Sequence, residues 1–329
     1  MANKKTITVQ GAGICGLWHA LTLAKAGHDV TLIERSAEPF TQACSRWAGA
    51  MLSPFCEEEG TEPLSRDLGL RGIELWREVY PETQTNGSLV VAQARDRREL
   101  DRFARVTEDH GRVDAEKIAE LEPDLAGRYD TGLFYEREGH VSPPDALSFL
   151  LEAAEDAGVT ALFGREDEPR KADVLVDCRG LAARDTLKDL RGVRGERVVI
   201  RTGDVTLNRP VRLLHPRFPL YVVPWGDGRF LIGATQIESD EEGPVTVRSA
   251  LDLLSTAYAL HPAFGEAQVI EFGSGVRPAF PDNQPRIVVE NTHIQVNGLY
   301  RNGYLLAPAL AELTARYIET GETHPEVFS

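Results

Sequence analysis

Cysteine is scarce in this 329-residue chain, and positive charge is in deficit. The four cysteines, Cys15, Cys44, Cys56 and Cys178, are scattered and form neither a CxxC nor a zinc-type cluster. Neither a disulfide framework nor a metal is expected, and a reducing cytoplasm is the default compartment. Lys and Arg total 36 against 51 Asp and Glu, a formal net charge of −15. A field of that sign repels phosphate backbones, which disfavours nucleic acid as a partner. No apolar run is long enough to span a bilayer, so no membrane association is expected. Met1 to Lys5 lead directly into a strand-like Thr6-Ile7-Thr8-Val9, leaving no room for the apolar core of a signal peptide. Internal repeats and low-complexity segments are absent as well.

What is present is core-forming material: 42% of the residues are hydrophobic, enough at this length for two domains. Thr6 to Val9 reads as a buried strand, Gly11 to Gly16 as a glycine-rich turn, Leu17 to Ala26 as a helix ended by Gly27, and Asp29 to Glu34 as a second strand. Such a β-α-β start builds a doubly wound parallel sheet. Leu64 to Tyr80 has helical periodicity and stops at Pro81, and Ser88 to Ala94 reads as a strand. Arg95 to Leu121 is highly charged, with helical pieces near Glu99 to Asp109 and Ala115 to Glu120 on a solvated face. A helix from Asp145 to Ala157 precedes a strand at Asp173 to Cys178. Short strands at Val198 to Ile200, Leu220 to Pro224 and Phe230 to Ile232, separated by turns, then suggest an antiparallel sheet. The first texture returns with a strand at Thr292 to Val296 and a helix from Ala307 to Glu319.

The expected fold class is therefore α/β: a Rossmann-type dinucleotide domain interleaved with an antiparallel-sheet (α+β) substrate domain. Residues 1–75, 142–190 and 274–329 are assigned to the first, and 76–141 and 191–273 to the second.

Gly11-Ala12-Gly13-Ile14-Cys15-Gly16 is a GxGxxG between a strand and a helix, the context that gives the motif meaning. Gly11 allows the tight turn, Gly13 lets backbone approach a pyrophosphate, and Gly16 lets helix and strand pack closely. The N–H groups and dipole of the helix start favour phosphate, so Ile14 and Cys15 join the candidate contacts. Glu34 ends the second strand, where a carboxylate accepts hydrogen bonds from an adenosine ribose, with Arg35 beside it. The motif alone leaves FAD and NAD both open.

Three further blocks follow: Ser45-Arg46-Trp47-Ala48-Gly49-Ala50-Met51-Leu52-Ser53-Pro54; then Tyr221-Val222-Val223-Pro224 with Gly228-Arg229 and Leu231-Ile232-Gly233-Ala234-Thr235; then Gly275-Val276-Arg277-Pro278 with Asp282, Pro285 and Tyr300-Arg301-Asn302-Gly303-Tyr304-Leu305-Leu306-Ala307-Pro308. Through these blocks, in order over most of its length, the chain resembles the D-amino-acid oxidase family, and within it is similar to the glycine oxidases of bacterial thiamine biosynthesis.

The resemblance implies FAD, held non-covalently, because the flavin-linking cysteine of related sarcosine oxidases has no counterpart near the C-terminal motifs. It implies that Ala43, Cys44, Ser45, Ala48, Gly49, Ala50 and Met51 run along the flavin, Met51 serving either core packing or a contact to the ring face. Arg301, Asn302, Gly303, Tyr304 and Leu305 would edge flavin and substrate, with a helix N-terminus near the pyrimidine carbonyl. Arg277 would bind the substrate carboxylate through its two-pronged guanidinium, and Tyr221 would add a phenolic hydrogen bond.

The chemistry implied is oxidative deamination of glycine or a similar small amino acid, with O2 as acceptor and imine and H2O2 as products. The imine hydrolyses to glyoxylate or feeds thiazole formation, which makes the thiazole synthase a partner, alongside a homo-oligomeric state. Sarcosine, D-amino acids and modified amino acids remain open as substrates, as does a flavin-bound scaffold without turnover. No paired acid, metal cluster or nucleophile with its base stands out, and His19, His140, His215, His261 and His293 are scattered. That fits a cofactor carrying the chemistry while protein supplies orientation. Two departures from the family stand out: the segment between Ala161 and Asp173, which in relatives helps enclose adenine, is short, and Tyr304 replaces an aliphatic residue.

Overall fold

A computed structural model describes residues 4–56, 63–166, 171–216 and 219–329. The chain start (1–3) and the middle of the short Ala161 to Asp173 segment (167–170) lie outside the described residues. In chain order, the first elements are β1 (Thr6–Gln10), α1 (Ile14–Lys25), β2 (Asp29–Glu34), β3 (Met51–Leu52) and α2 (Pro63–Val79). Next come β4 (Ser88–Ala92), α3 (Arg97–Val106), β5 (Gly111–Asp114), α4 (Ala115–Leu121), β6 (Thr131–Tyr135), β7 (Gly139–His140) and α5 (Pro143–Asp156). β8 (Thr160–Phe163), β9 (Val174–Asp177), β10 (Arg191–Arg201), β11 (Val211–Leu214), β12 (Leu220–Pro224) and β13 (Arg229–Gly233) follow. α6 (Val247–Leu260), β14 (Gln268–Ala279), β15 (Arg286–Glu290), β16 (His293–Asn297) and α7 (Gly303–Thr320) complete the set.

Two large sheets divide these strands. The first has the order β15-β16-β9-β1-β2-β8, parallel from β16 to β8, with β15 antiparallel at one edge. Ile7 and Val9 of β1 and Val30 and Leu32 of β2 are buried, and α1 is buried around most of its circumference, with Leu17, Trp18, Leu21 and Leu23 packed between the sheet, α5 and α7. The second sheet has the order β14-β10-β13-β12-β11-β4-β6-β5 and is antiparallel except for the β11–β4 pair. This is the expected α/β class with an antiparallel partner sheet. We propose domain boundaries as the sequence suggests them; β14 runs continuously through the 273–274 junction. Among the described residues no helix is long and apolar enough to cross a membrane.

Several elements depart from the sequence expectation. α1 starts at Ile14, inside the glycine turn, and β10 is 11 residues long where only Val198 to Ile200 reads as strand. Strands β5, β6, β11 and β15 and helix α6 have no counterpart in the pattern reading. α7 begins at Gly303 rather than Ala307, with Pro308 inside it. A proline there cannot donate to the carbonyl four residues back, that of Tyr304. The Trp76 indole Nε1–H of α2 fills the gap, donating to the Tyr304 carbonyl at 2.7 Å, so the helix passes through its proline with that acceptor satisfied.

Candidate functional site

The dinucleotide turn is built by close packing that only glycine permits. Gly11 has φ +93°, and a Cβ on it would stand 2.7 Å from the Cys178 carbonyl; a Cβ on Gly16 would stand 1.7 Å from the Gly11 carbonyl. The strand end, turn and helix start are thus locked together, and Gly13, at the helix N-cap, lacks a side-chain cap of its own. Its surroundings supply one: Ser45 Oγ accepts from the Ile14 N–H at 3.0 Å. Glu34 Oε2 accepts from the Ala12 N–H at 2.8 Å and Oε1 from the Ser36 N–H at 3.0 Å, which orients the carboxylate and leaves lone pairs for a ligand hydroxyl. Ser45 also ties in the far end of the chain, because Tyr304 Oη donates to its carbonyl at 3.1 Å.

These groups open into a cavity of about 1490 Å³. Its walls include Gly11, Gly13, Ile14, Cys15, Glu34, Arg35, Ala43, Cys44, Ser45, Ala48, Gly49, Ala50 and Met51, with Tyr221, Arg277, Arg301, Asn302, Gly303 and Tyr304. That volume exceeds the few hundred to about 1,000 Å³ typical of a drug-sized pocket and has room for a dinucleotide with a small second molecule. A cradle of glycine backbone, a helix start open to an anion and a carboxylate at the end of β2 fit a dinucleotide.

Not every expected residue turns to the cavity. Gly16 serves packing, and Leu305 points away: a Cβ on Gly69 of α2 would meet its Cδ2 at 2.9 Å. Tyr304 touches the cavity but is 3% exposed and lies parallel to Trp76, with ring centroids 6.1 Å apart. Burial pushes its phenol well above the usual tyrosine range.

At the other end, Arg277 lies in β14 opposite Val193 of β10. Its guanidinium rests on Gly195, where a Cβ would meet Nη2 at 2.1 Å, and Nη1 donates to the Thr235 carbonyl at 3.2 Å. Tyr221 of β12 sits opposite Gly233 of β13, and its ring is flanked by Gly233 and Gly49, whose added Cβ atoms would approach it to 3.0 and 2.6 Å. Arg301 Cζ lies 5.7 Å from the Tyr300 ring centroid. Ala50 and Tyr300 take left-handed φ values of 51° and 48°, a strain that persists only where the surroundings fix the backbone, and both line the cavity.

Sequence reasoning passed over several wall residues. Arg248, Ser249, Asp252, Leu253 and Thr256 belong to α6. Trp47 also lines the wall; Gly273 and Gly275 of β14 are small because its indole lies against them, and Arg197 stacks on it at 4.8 Å. Burial lowers the pKa of Arg197, with Glu271 opposing through an ion pair at 3.0 Å. Arg179, next to the dinucleotide turn, is held by Asp177 at 2.7 Å and Asp185 at 2.9 Å.

The cysteines are less scattered in space than in sequence. Cys15 Sγ lies 3.5 Å from Cys178 Sγ and 3.6 Å from His19 Nδ1, and the three ligand-type atoms fall within 4.8 Å of one another. Separation by 163 residues hides this from any spacing rule. The hydrogen bond with Cys178 pulls the Cys15 thiol down to about 6, with help from His19, whereas burial raises Cys178.

Comparison with known proteins agrees with this geometry. Residues 6–317 match the FAD dependent oxidoreductase (DAO) family. A protein of Rhizobium etli provisionally named the thiamine biosynthesis oxidoreductase ThiO is 48% identical over 97% of this chain and 98% of its own length. The glycine oxidase of Geobacillus kaustophilus is 26% identical over 98% and 95% of the two chains. A crystal structure of glycine oxidase from that organism superposes with a TM-score of 0.83 at 24% identity, covering 99% of this chain and 98% of the other, a likeness of fold. The chain belongs to the FAD-dependent oxidoreductase (DAO) family.

Proposed function

We propose that this protein is an FAD-dependent oxidase of glycine or a comparably small amino acid. The observation that carries the reading is that one cavity joins the Gly11 to Gly16 turn and Glu34 to Arg277, Tyr221 and Arg301. In this reading Gly11, Gly13, Ile14 and Cys15 hold the pyrophosphate, Glu34 and Arg35 the adenosine, and Ala43 to Met51 with Arg301 to Tyr304 the ring system. FAD, when bound, supplies the two-electron acceptor.

The chain's own residues bind and orient. Arg277 has donors beyond the one given to Thr235, and a carboxylate accepts two of them in parallel. Tyr221 adds its phenol to the same carboxylate, and Arg301 contributes positive charge to the pocket. A substrate held at its carboxylate cannot tumble, and fixed orientation is the main gain such a site offers. A substrate amine that binds neutral needs no dedicated base. The net reaction is amino acid, O2 and water to 2-oxo acid, ammonia and H2O2, passing through a free imine. The names of the relatives support glycine, and a bifunctional ThiO/ThiG protein of Synechocystis, 28% identical and spanned by this chain over 53% of its length, supports delivery of that imine to thiazole formation. A homo-oligomer in the cytoplasm completes the reading.

The test is oxygen uptake and peroxide release by the purified yellow protein with glycine, sarcosine, D-alanine and methylamine. Turnover of a small amino acid with stoichiometric peroxide is expected. Turnover only with a quinone or dye acceptor would overturn the oxidase assignment.

A further inference from the structure

We propose that Cys15 and Cys178 are a redox-responsive dithiol that peroxide converts to a disulfide, stapling the end of β9 to the dinucleotide turn and loosening its grip on FAD. Both thiols are nearly buried, 9% and 6% exposed, yet both line the cavity wall, within reach of a molecule as small as peroxide. Their Sγ atoms are already 3.5 Å apart, so bonding requires them to close by about 1.5 Å. The frame around them is rigid. Cys178 N–H donates to the Gln10 carbonyl at 2.8 Å, and the Cys178 carbonyl fills the space beside Gly11. Movement of either cysteine is therefore felt at Gly11 and at the start of α1, the two places where phosphate is read.

His19 gives the pair its direction. Its Nδ1–H donates to the Cys15 carbonyl at 2.7 Å, and Nε2 meets Thr314 Oγ1 at 3.1 Å, which fixes the ring 3.6 Å from Cys15 Sγ. The hydrogen bond between the two sulfurs and the neighbouring His19 ring favour thiolate at Cys15, and burial favours thiol at Cys178. Cys15 is the attacking sulfur. Its lone pair displaces hydroxide from peroxide: the O–O bond breaks, sulfur is oxidised by two electrons to sulfenic acid, and the hydroxide takes up the proton Cys15 had released. Cys178 then attacks that sulfur, the S–O bond breaks, and its proton leaves with the oxygen as water. Two thiols and one peroxide give one disulfide and two waters. The proposed function makes peroxide in this same cavity; the chemistry itself needs only peroxide from any source.

A metal is the rival occupant of the same atoms. The His19 Nδ1 proton is committed to the Cys15 carbonyl, which leaves two sulfurs and no fourth ligand in the trio. That favours redox chemistry.

The test adds hydrogen peroxide to the FAD-loaded enzyme without substrate, so it does not depend on which amine is oxidised. After alkylation, trypsin releases residues 6–25 and 172–179, which carry Cys15 and Cys178. Mass spectrometry should find them joined, lighter by two hydrogens than their sum and separated by dithiothreitol. Released FAD, followed by fluorescence, should show the dissociation constant rising roughly tenfold or more, the loss of about one charge-assisted hydrogen bond, and falling back on reduction. Cys15→Ser and Cys178→Ser should each abolish both effects, and Cys56→Ser neither. Free, alkylated peptides after peroxide would overturn the proposal. So would a linked pair with unchanged FAD affinity, or a stoichiometric zinc ion that survives chelator and blocks the link.

Discussion

Replacing Gly195 by alanine perturbs the proposed carboxylate clamp without altering any side chain that would touch substrate. The new Cβ would lie 2.1 Å from Arg277 Nη2, 2.3 Å from Cζ and 2.5 Å from Nη1. Those atoms are the free end of a long side chain, whereas the β10–β14 ladder beneath is continuous around Gly195, paired with Gly275. The guanidinium should move and the sheet should hold, which breaks the 3.2 Å bond to the Thr235 carbonyl and spoils the two-pronged approach to a carboxylate. Hydrogen bonds to a charged group are each worth about 1.5–3 kcal/mol, so kcat/KM for glycine should fall by roughly ten- to a hundredfold. Arg277→Lys should fall in the same range, because an ammonium keeps the charge but not the parallel donors. Oxygen uptake with glycine and with methylamine, which lacks the carboxylate, separates the effects: only glycine should suffer, with the flavin spectrum unchanged. Unchanged kcat/KM in both variants, or an equal loss with methylamine, would refute the clamp and shift attention to Arg301.

Three further outcomes are expected. Glu34→Gln should weaken FAD binding by roughly tenfold or more in an apoprotein titration, because the amide is a poorer partner for a ribose hydroxyl and for the Ala12 N–H; unchanged affinity would remove Glu34 from the site. Trp76→Phe strands the Tyr304 carbonyl beside Pro308 and should cost about 1–3 kcal/mol in denaturant unfolding, with little change in kcat. His140 is buried and pairs with Met51 across the β3–β7 ladder, and burial lowers its pKa from 6.5 to about 4, so the unfolded chain binds the extra proton first. Stability should therefore decline as pH falls from about 6.5 to about 4, by about 3 kcal/mol in all from this residue, and His140→Gln should flatten that part of the profile.

The dinucleotide unit was legible because its signals are local. Glycines at fixed offsets, a short strand buried at Ile7, Thr8 and Val9 and an acid at the end of β2 all lie within the first 34 residues. α6 carries a readable pattern too: Leu253, Ala257 and Leu260 repeat at helical spacing, Thr246 caps its start by accepting from the Ser249 N–H, and Pro262 follows its end, so its absence from the sequence reading has no physical cause. β14 was hidden for a physical reason: its glycines look like turn residues, but they are there to admit Trp47. Pro308 misplaced the start of α7 because the group that satisfies the freed carbonyl, Trp76, lies 228 residues away in sequence. The Cys15, His19 and Cys178 cluster belongs to the same class, since sequence spacing carries no record of what a parallel crossover brings together. Arg277 and Tyr221 were found through family resemblance, and only the structure adds that glycines flank both side chains.

Anaerobic mixing of the purified yellow protein with glycine, sarcosine, D-alanine and methylamine asks whether an amino acid reduces the bound flavin. Without oxygen, a bound oxidisable amino acid must leave its electrons on FAD, and the visible absorbance must bleach. Bleaching by a small amino acid, recovery of the colour when air is admitted, and no bleaching by methylamine at the same concentration are expected. Protein that carries no FAD, or a yellow spectrum that none of the four amines changes, would contradict the proposed function.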